Sequence, residues 1–423
     1  MRHSLYVETV PANQDFRPSP TDQLAESDLQ GFRFFKRFKG LFDLLRPCAA
    51  HRNRQLHYDE YAMAVLFYFF NPAIGSLRGL QKASGFEKVQ KALGIRRMSL
   101  GSMSESVRVF DPALLAEVFE GLAQRAPERG CDPRLKDLRQ VLTVVDGTIL
   151  PALPRMTWAV WMGDAQRGAK AHVDFEVLKG VPSGVEITPG VAAENERLKE
   201  RLQAGRLYVL DRGFRDFNLF QKIVQADSSF VVRLGANAVY ETIEENPLTS
   251  EANAASVASD RIVRLGGKKS RDQFDRPVRL IVVHVPARPP RGLGYPVMKV
   301  SSKKTFREPP GQAYDMLIAT DRLDLPADVI ALIYLHRWKI ELFFRLLKSV
   351  LGCRHLLSDS IEGVSIQVYA ALIAVLLLTE YTGLPARRRT FELVSLYLQG
   401  WVSDAEFTRE LSSLQKQAAS GKA

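Results

Sequence analysis

The chain is poor in cysteine: its 423 residues include only Cys48, Cys131 and Cys353, which lie far apart. An odd number of widely spaced cysteines excludes a disulfide framework and a zinc knuckle. Both features are typical of small secreted or metal-stabilised domains. The scarcity of cysteine therefore predicts a protein of the reducing cytoplasm.

The sequence also lacks a long hydrophobic run. Residues 1–30 are polar and contain acidic side chains, without the apolar stretch of a secretory signal. The apolar run from Val368 to Leu378 is about half the length that a bilayer span requires. We expect this run to be a buried helix and expect no contact with a membrane.

Positive charge is in excess, with 58 Lys and Arg against 47 Asp and Glu, a formal net charge of +11 and an estimated pI of 9.5. Such an excess favours a polyanionic partner, because neutralising phosphates releases counterions. Ribosomal and membrane-surface proteins share the trait, so charge alone names no activity. The length predicts several domains, and the apolar content is typical of a folded protein.

The pattern along the chain predicts five segments. Residues 1–30 form a flexible arm and 31–135 a helical domain, in which Met98–Arg108 could open a helix of a helix-turn-helix reader or be an ordinary capped helix. Residues 136–234 and 317–381 contain strands and helices in the order β-β-β-α-β-α-β, followed by long helices. This order predicts a ribonuclease-H-like mixed α/β sheet flanked by helices. Residues 235–316 predict a β-rich insertion and 382–423 a helical tail.

Two aspartates follow apolar strands directly. The strand Val141–Val145 is expected to end at Asp146, and the strand Leu207–Leu210 at Asp211, with Gly147 and Gly213 close behind. The ends of strands are where α/β sheets place their chemistry. An isolated Asp-Gly after a strand is more often a turn, so a third carboxylate is needed to favour a catalytic site.

The third carboxylate is Glu341. If one helix runs from Pro326 to about Leu351, then Tyr334, Arg337, Glu341 and Lys348 fall within an arc of roughly 60° on one face. The alternative is a solvated helix face with ordinary charge pairs. That alternative does not explain the two aspartates.

The spacing Tyr-x2-Arg-x3-Glu-x6-Lys at these four positions resembles the Y-R-E-K signature of the insertion-sequence-4 family of bacterial DDE transposases. The segments 146–148, Asp-Gly-Thr, and 211–214, Asp-Arg-Gly-Phe, are similar to the two aspartate motifs of that family. The strand Phe230–Arg233 and a β-rich insertion before the glutamate also match. The resemblance covers roughly residues 140–351, and the N-terminal helices match only in general character.

The resemblance implies metal-dependent cleavage at transposon ends and strand transfer into target DNA by cut-and-paste, with a DNA hairpin between the two steps. Two Mg²⁺ or Mn²⁺ ions would be held by Asp146, which bridges them, and by Asp211 and Glu341. Arg337 and Lys348 would bind phosphates, and Tyr334 would hydrogen-bond the DNA backbone. The implied partners are transposon-end DNA, target DNA and a second copy of the chain, at the nucleoid, with no small-molecule substrate.

Two alternatives of other classes stay open. One is a catalytically silent DNA-binding protein derived from a transposase. The other is a metal-dependent nuclease on the same fold that cuts DNA without joining it. The presence of all six signature residues favours the transposase over both.

Overall fold

The structure is a computed structural model that describes residues 39–47, 55–71, 74–128, 132–161, 163–267, 273–287, 312–349, 351–353 and 355–419. The predicted flexible arm, residues 1–30, lies outside these ranges. So does 288–311, the later part of the predicted insertion.

Within the described ranges, five α-helices precede the sheet. They are α1 (Tyr58–Phe70), α2 (Leu77–Ser84), α3 (Glu87–Leu93), α4 (Leu100–Ser106) and α5 (Pro112–Arg125). Helix α1 is apolar on all sides and nearly all of its residues are buried, as expected for a helix at the centre of a helical domain. The helical character predicted for this region is confirmed.

Helix α4 begins where the sequence predicted a capping serine. The Ser99 hydroxyl accepts a hydrogen bond from the Ser102 backbone N–H at 3.0 Å, which satisfies one of the free N–H groups of the first turn. The capped helix is confirmed, and a role in reading DNA stays a prediction.

Ten strands form one mixed sheet among the described residues. They are β1 (Val141–Pro151), β2 (Val160–Trp161), β3 (Gly163–Glu176), β4 (Val181–Pro189), β5 (Arg206–Leu210), β6 (Ser229–Leu234), β7 (Tyr240–Asn246), β8 (Val257–Leu265), β9 (Pro277–Val285) and β10 (Tyr314–Thr320). Their order is β2-β3-β1-β5-β6-β10-β9-β8-β7, with β4 also paired to β3. Strands β1, β5 and β6 are mutually parallel, whereas the other pairs are antiparallel.

Helices lie between the parallel strands, as the predicted order requires. Helix α6 (Glu194–Glu200) connects β4 to β5, and α7 (Phe217–Gln225) connects β5 to β6. The central strands are buried on both faces: Val144 belongs to one apolar cluster and Val145, its neighbour on β1, to another. Parallel strands need this double cover. The predicted mixed sheet with flanking helices is confirmed.

The structure corrects the predicted end of the first strand. Strand β1 does not end at Asp146 but continues to Pro151, because β3 pairs with it in antiparallel register from Thr143 to Pro151. Only the parallel pairing with β5 ends before the aspartate, at Val144. Asp146 is therefore inside β1 and just beyond the β5 ladder.

The strands of the predicted insertion extend the same sheet. Strand β10 pairs with β6 on one side and β9 on the other, and β8 and β7 continue outward, with the short helix α8 (Ser250–Ala254) between them. The β-rich character is confirmed. The boundary proposed at residues 316 and 317 falls within β10.

The predicted single helix over Pro326–Leu351 is wrong. The structure has α9 (Ala327–Leu335) and α10 (Trp338–Ser349), separated by a turn at His336 and Arg337. In this turn the backbone N–H of Arg337 donates to the Tyr334 carbonyl at 3.0 Å, a three-residue bond that is tighter than an α-helical one. The signature residues consequently lie on two helices.

Three further helices complete the described fold: α11 (Ile361–Thr382), α12 (Arg388–Leu398) and α13 (Asp404–Ala419). By length and apolar composition α11 would pass as a membrane span, but 78% of its most apolar window is buried inside the protein. All residues from Val368 to Leu378 except Tyr369 are buried. The predicted buried helix is confirmed, as is the helical tail.

Candidate active site

Asp146 lies on β1 with its carboxylate in a partly buried position. Its Oδ1 accepts a hydrogen bond from the Gly147 backbone N–H at 2.8 Å. Burial, together with the negative charges of Asp211 and Glu194, raises the pKa of Asp146 to about 7, although the Gly147 hydrogen bond and the charge of Arg337 oppose the rise. The ionised form of Asp146 is therefore disfavoured in this arrangement.

Asp211 is the first residue after β5. Its Oδ1 accepts a hydrogen bond at 2.7 Å from the N–H of Gly213. Asp211 thereby caps the short turn Arg212–Phe214. The Phe214 side chain anchors that turn in the core. Because β5 is the parallel neighbour of β1, Asp211 comes out beside Asp146, and the two carboxylates interact electrostatically.

Glu341 lies in the first turn of α10 and forms an ion pair with Arg337, whose Nη2 is 2.5 Å from Glu341 Oε1. Both side chains are partly buried. Burial lowers the pKa of Arg337, but the neighbouring Tyr334, Glu341 and Asp146 outweigh that effect and leave its pKa raised. Arg337 therefore stays charged and links Glu341 electrostatically to Asp146.

Tyr334 lies near the end of α9 and Lys348 near the end of α10. Burial raises the pKa of Tyr334 to about 12, with the Asp211 charge as a smaller contribution, so the phenol keeps its proton. Lys348 is partly buried and follows Glu341 by seven residues, which places both on one face of α10. Tyr334 thus lies on α9, whereas Glu341 and Lys348 lie on α10.

Five of the six predicted residues interact with one another. Electrostatic interactions join Asp146 to Asp211 and to Arg337, and Arg337 is hydrogen-bonded to both Glu341 and Tyr334. Lys348 follows Glu341 on the same face of α10. Within the described ranges, however, no three of the His, Cys, Asp and Glu side chains are arranged to hold a metal ion. In this arrangement the Glu341 carboxylate contacts Arg337.

The side chains present fit a divalent cation in chemical terms. Three carboxylates are the ligand set that hard ions such as Mg²⁺ prefer. Burial and the neighbouring Asp211 disfavour the charged form of Asp146, and a bound cation would favour that form.

Glu194 is a residue that the sequence reasoning missed. The sequence predicts no site residue on helix α6, yet the first residue of that helix lies against Gly147 of β1. A Cβ atom added at Gly147 would meet Glu194 Oε1 at 2.5 Å. The only signal in the sequence was the glycine after Asp146, which was taken as a turn residue.

Comparison with known proteins places this geometry in a family. Residues 137–377, more than half of the chain, match the model of the transposase DDE domain. The chain belongs to the DDE transposase family. The matched range contains every strand described above and all six predicted site residues.

Several proteins described as transposases are similar to this chain at low sequence identity. Transposase y4zB of Sinorhizobium fredii is 27% identical over 270 residues, 63% of this chain and 67% of that protein. The transposase for insertion sequence element IS5377 of Geobacillus stearothermophilus is 26% identical over 56% of this chain and 55% of its own length. That for element IS4SA of Synechocystis is 22% identical over 84% of this transposase and 94% of its own length.

A solved structure of the piggyBac transposase synaptic complex with hairpin DNA matches at a TM-score of 0.42 and 10% identity. The match covers 93% of this chain and 83% of that one. DDE transposases typically use divalent metal ions, which agrees with the carboxylate chemistry of the site.

Proposed function

We propose that this DDE transposase cuts DNA at the ends of an insertion sequence and joins those ends to target DNA, using two Mg²⁺ or Mn²⁺ ions bound by Asp146, Asp211 and Glu341. The observation that carries the proposal is the interaction of Asp146 with Asp211 directly and with Glu341 through Arg337. We further infer that β4-β3-β1-β5-β6 is a ribonuclease-H-like core, since three parallel strands there are flanked by two antiparallel ones.

Phosphodiester cleavage requires a nucleophile and a stabilised leaving oxygen. Divalent ions supply both, by lowering the pKa of water and by neutralising charge on the departing oxygen. Asp146 lies between the other two carboxylates in this set of interactions, which suits a bridging role. Asp211 and Glu341 would each hold one ion.

The remaining residues act on the DNA itself. Arg337 presents a planar guanidinium that binds phosphate oxygens in pairs. Lys348, in the last turn of α10, adds a point charge. The Tyr334 phenol, which keeps its proton, donates a hydrogen bond to a backbone oxygen. Hydrolysis breaks the bond between phosphorus and the 3′ oxygen, and the freed 3′-hydroxyl then attacks a phosphodiester of the second strand or of the target.

Binding of a phosphate would also free Glu341. In the structure Arg337 holds the Glu341 carboxylate at 2.5 Å. A DNA phosphate competes for the same guanidinium, so DNA binding releases Glu341 toward a cation. DNA and the metal ions are therefore expected to bind cooperatively.

The proposal is tested by incubating the full-length protein with Mg²⁺, linear DNA that carries the ends of the element, and a target plasmid. Nicks, hairpins and joined products are expected with the wild-type chain and none with Asp146→Asn, Asp211→Asn or Glu341→Gln. Glu196→Gln, a similar change on an exposed residue of α6, is the matched control. Binding without products would favour the silent DNA-binding derivative, and cleavage without joining would favour the nuclease.

Two ends must be brought together before joining, so we propose a homodimer on DNA. The place of action is the bacterial nucleoid, where both the element and its targets lie.

A further inference from the structure

Glu194 lies against Gly147, on the face of β1 opposite to the one that carries the Asp146 side chain, because adjacent strand residues point to opposite faces. Its carboxylate lies 2.5 Å from the position that a Cβ of residue 147 would occupy, and only the absence of a side chain at Gly147 leaves this space. Neighbouring Cα atoms are about 3.8 Å apart, so the carboxylate oxygen is within roughly 8 Å of the Asp146 Cα.

A lysine on β3 fixes the position of Glu194. Lys170 Nζ donates to the Ala192 carbonyl at 2.9 Å and forms an ion pair with Glu194 Oε1 at 3.4 Å. Both charged side chains are partly buried, at 14% and 29% exposure. Lys170 shares a sheet face with His172, which pairs directly with Gly147, so the ion pair lies on the Gly147 face of the sheet.

We propose that the Lys170–Glu194 ion pair is a positioning element of the metal site, which sets the charge behind Asp146 and thereby the affinity of that aspartate for its divalent cation. The inference rests on the proposed function, because it concerns the cation that Asp146 would bind. Glu194 acts across β1 and is not itself a ligand, since adjacent residues of a strand point to opposite faces.

Because their charges are opposite, Lys170 and Glu194 have opposite effects on the affinity for the cation. Glu194 neutralises Lys170, so removing Glu194 leaves an uncompensated cation behind Asp146 that repels the metal. Removing Lys170 leaves an extra carboxylate that attracts it. By Coulomb's law, loss of a unit charge roughly 10 Å from a divalent ion changes the affinity about tenfold at a dielectric constant of about 50, between the values for protein and water. A purely structural pair would weaken binding in both cases.

The test is calorimetric titration of the metal-free, full-length protein with Mn²⁺ in the absence of DNA. We expect Glu194→Gln to bind Mn²⁺ about tenfold more weakly than wild type and Lys170→Met to bind it several-fold more tightly. The double variant should return to within about twofold of wild type. Glu196→Gln is the control, because it removes a carboxylate from the same helix that is paired to Lys199 and exposed to solvent. Melting temperatures of all variants confirm that they are folded.

Wild-type affinity in Glu194→Gln, or equal weakening in both single variants, overturns the inference. Asp146→Asn separates this failure from a failure of the proposed function. If that variant loses Mn²⁺ binding while Glu194→Gln does not, the metal site stands and only the role of the ion pair is lost. If Asp146→Asn binds Mn²⁺ like wild type, or if wild type binds none, both ideas are wrong.

Discussion

Replacing Asp146 by asparagine is expected to stabilise the fold at alkaline pH while it removes a proposed metal ligand. Asparagine keeps the shape of the side chain and can still accept the hydrogen bond from the Gly147 N–H. It lacks the charge that burial and the neighbouring Asp211 disfavour. The ordinary pKa of aspartate is 3.8, and in the folded protein that of Asp146 is about 7.

The direction of the change in stability with pH follows from proton binding. Between about pH 4 and pH 7 the folded protein holds a proton on Asp146 that the unfolded chain has released, so stability falls as pH rises through this window. Three pH units at about 1.4 kcal/mol each set a ceiling of about 4 kcal/mol. Partial exposure of Asp146 to solvent screens the charge, and we therefore expect a gain of about 1–3 kcal/mol for Asp146→Asn at pH 8.

The assay is chemical unfolding of the wild-type protein and the variant at pH 5 and at pH 8, with a metal chelator in the buffer. The variant should gain stability over wild type mainly at pH 8. Added Mn²⁺ should then stabilise the wild type more than the variant, because a cation favours the ionised carboxylate. Asp275→Asn, on an exposed aspartate, is the control. An advantage of Asp146→Asn that is equal at both pH values would refute the reasoning.

Other changes test the remaining contacts. Arg337→Gln should reduce DNA-end cleavage by about a hundredfold with little loss of stability, because the pair with Glu341 is partly solvated; an unchanged cleavage rate would contradict the phosphate-binding role. Tyr334→Phe should slow cleavage by about tenfold, and the wild-type rate should show no phenol titration below about pH 10, as measured in a pH–rate profile. Gly147→Ala should push the flexible Glu194 carboxylate away at a cost below about 1 kcal/mol, yet weaken Mn²⁺ binding as Glu194→Gln does; unaltered calorimetric affinity would argue against the close approach.

Local pattern predicted the elements that carry the site. Short apolar runs correctly indicated β1, β5 and β6, and the aspartate after Leu210 was expected at the end of its strand. These predictions succeed because alternation and apolar runs report burial, which each strand experiences locally. The helix that carries Glu341 was predicted for the same reason.

The failures concern pairing and turns. Asp146 was expected at a strand end, but β3, which begins 17 residues later, pairs with β1 along nearly its whole length and carries the strand through the Asp-Gly step. The predicted continuous helix breaks at His336 because the turn there forms three-residue hydrogen bonds, which apolar periodicity does not encode.

By itself the sequence determined the chemistry available to this protein: two aspartates after apolar strands and a glutamate spaced from a tyrosine, an arginine and a lysine, with a basic net charge. Only the tertiary structure decided what those groups meet. It pairs Arg337 with Glu341, raises the pKa of Asp146 through burial and Asp211, and brings Glu194 against Gly147 from 47 residues away. Side-chain identity is local, whereas burial and electrostatic fields are sums over neighbours that the chain assembles only by folding.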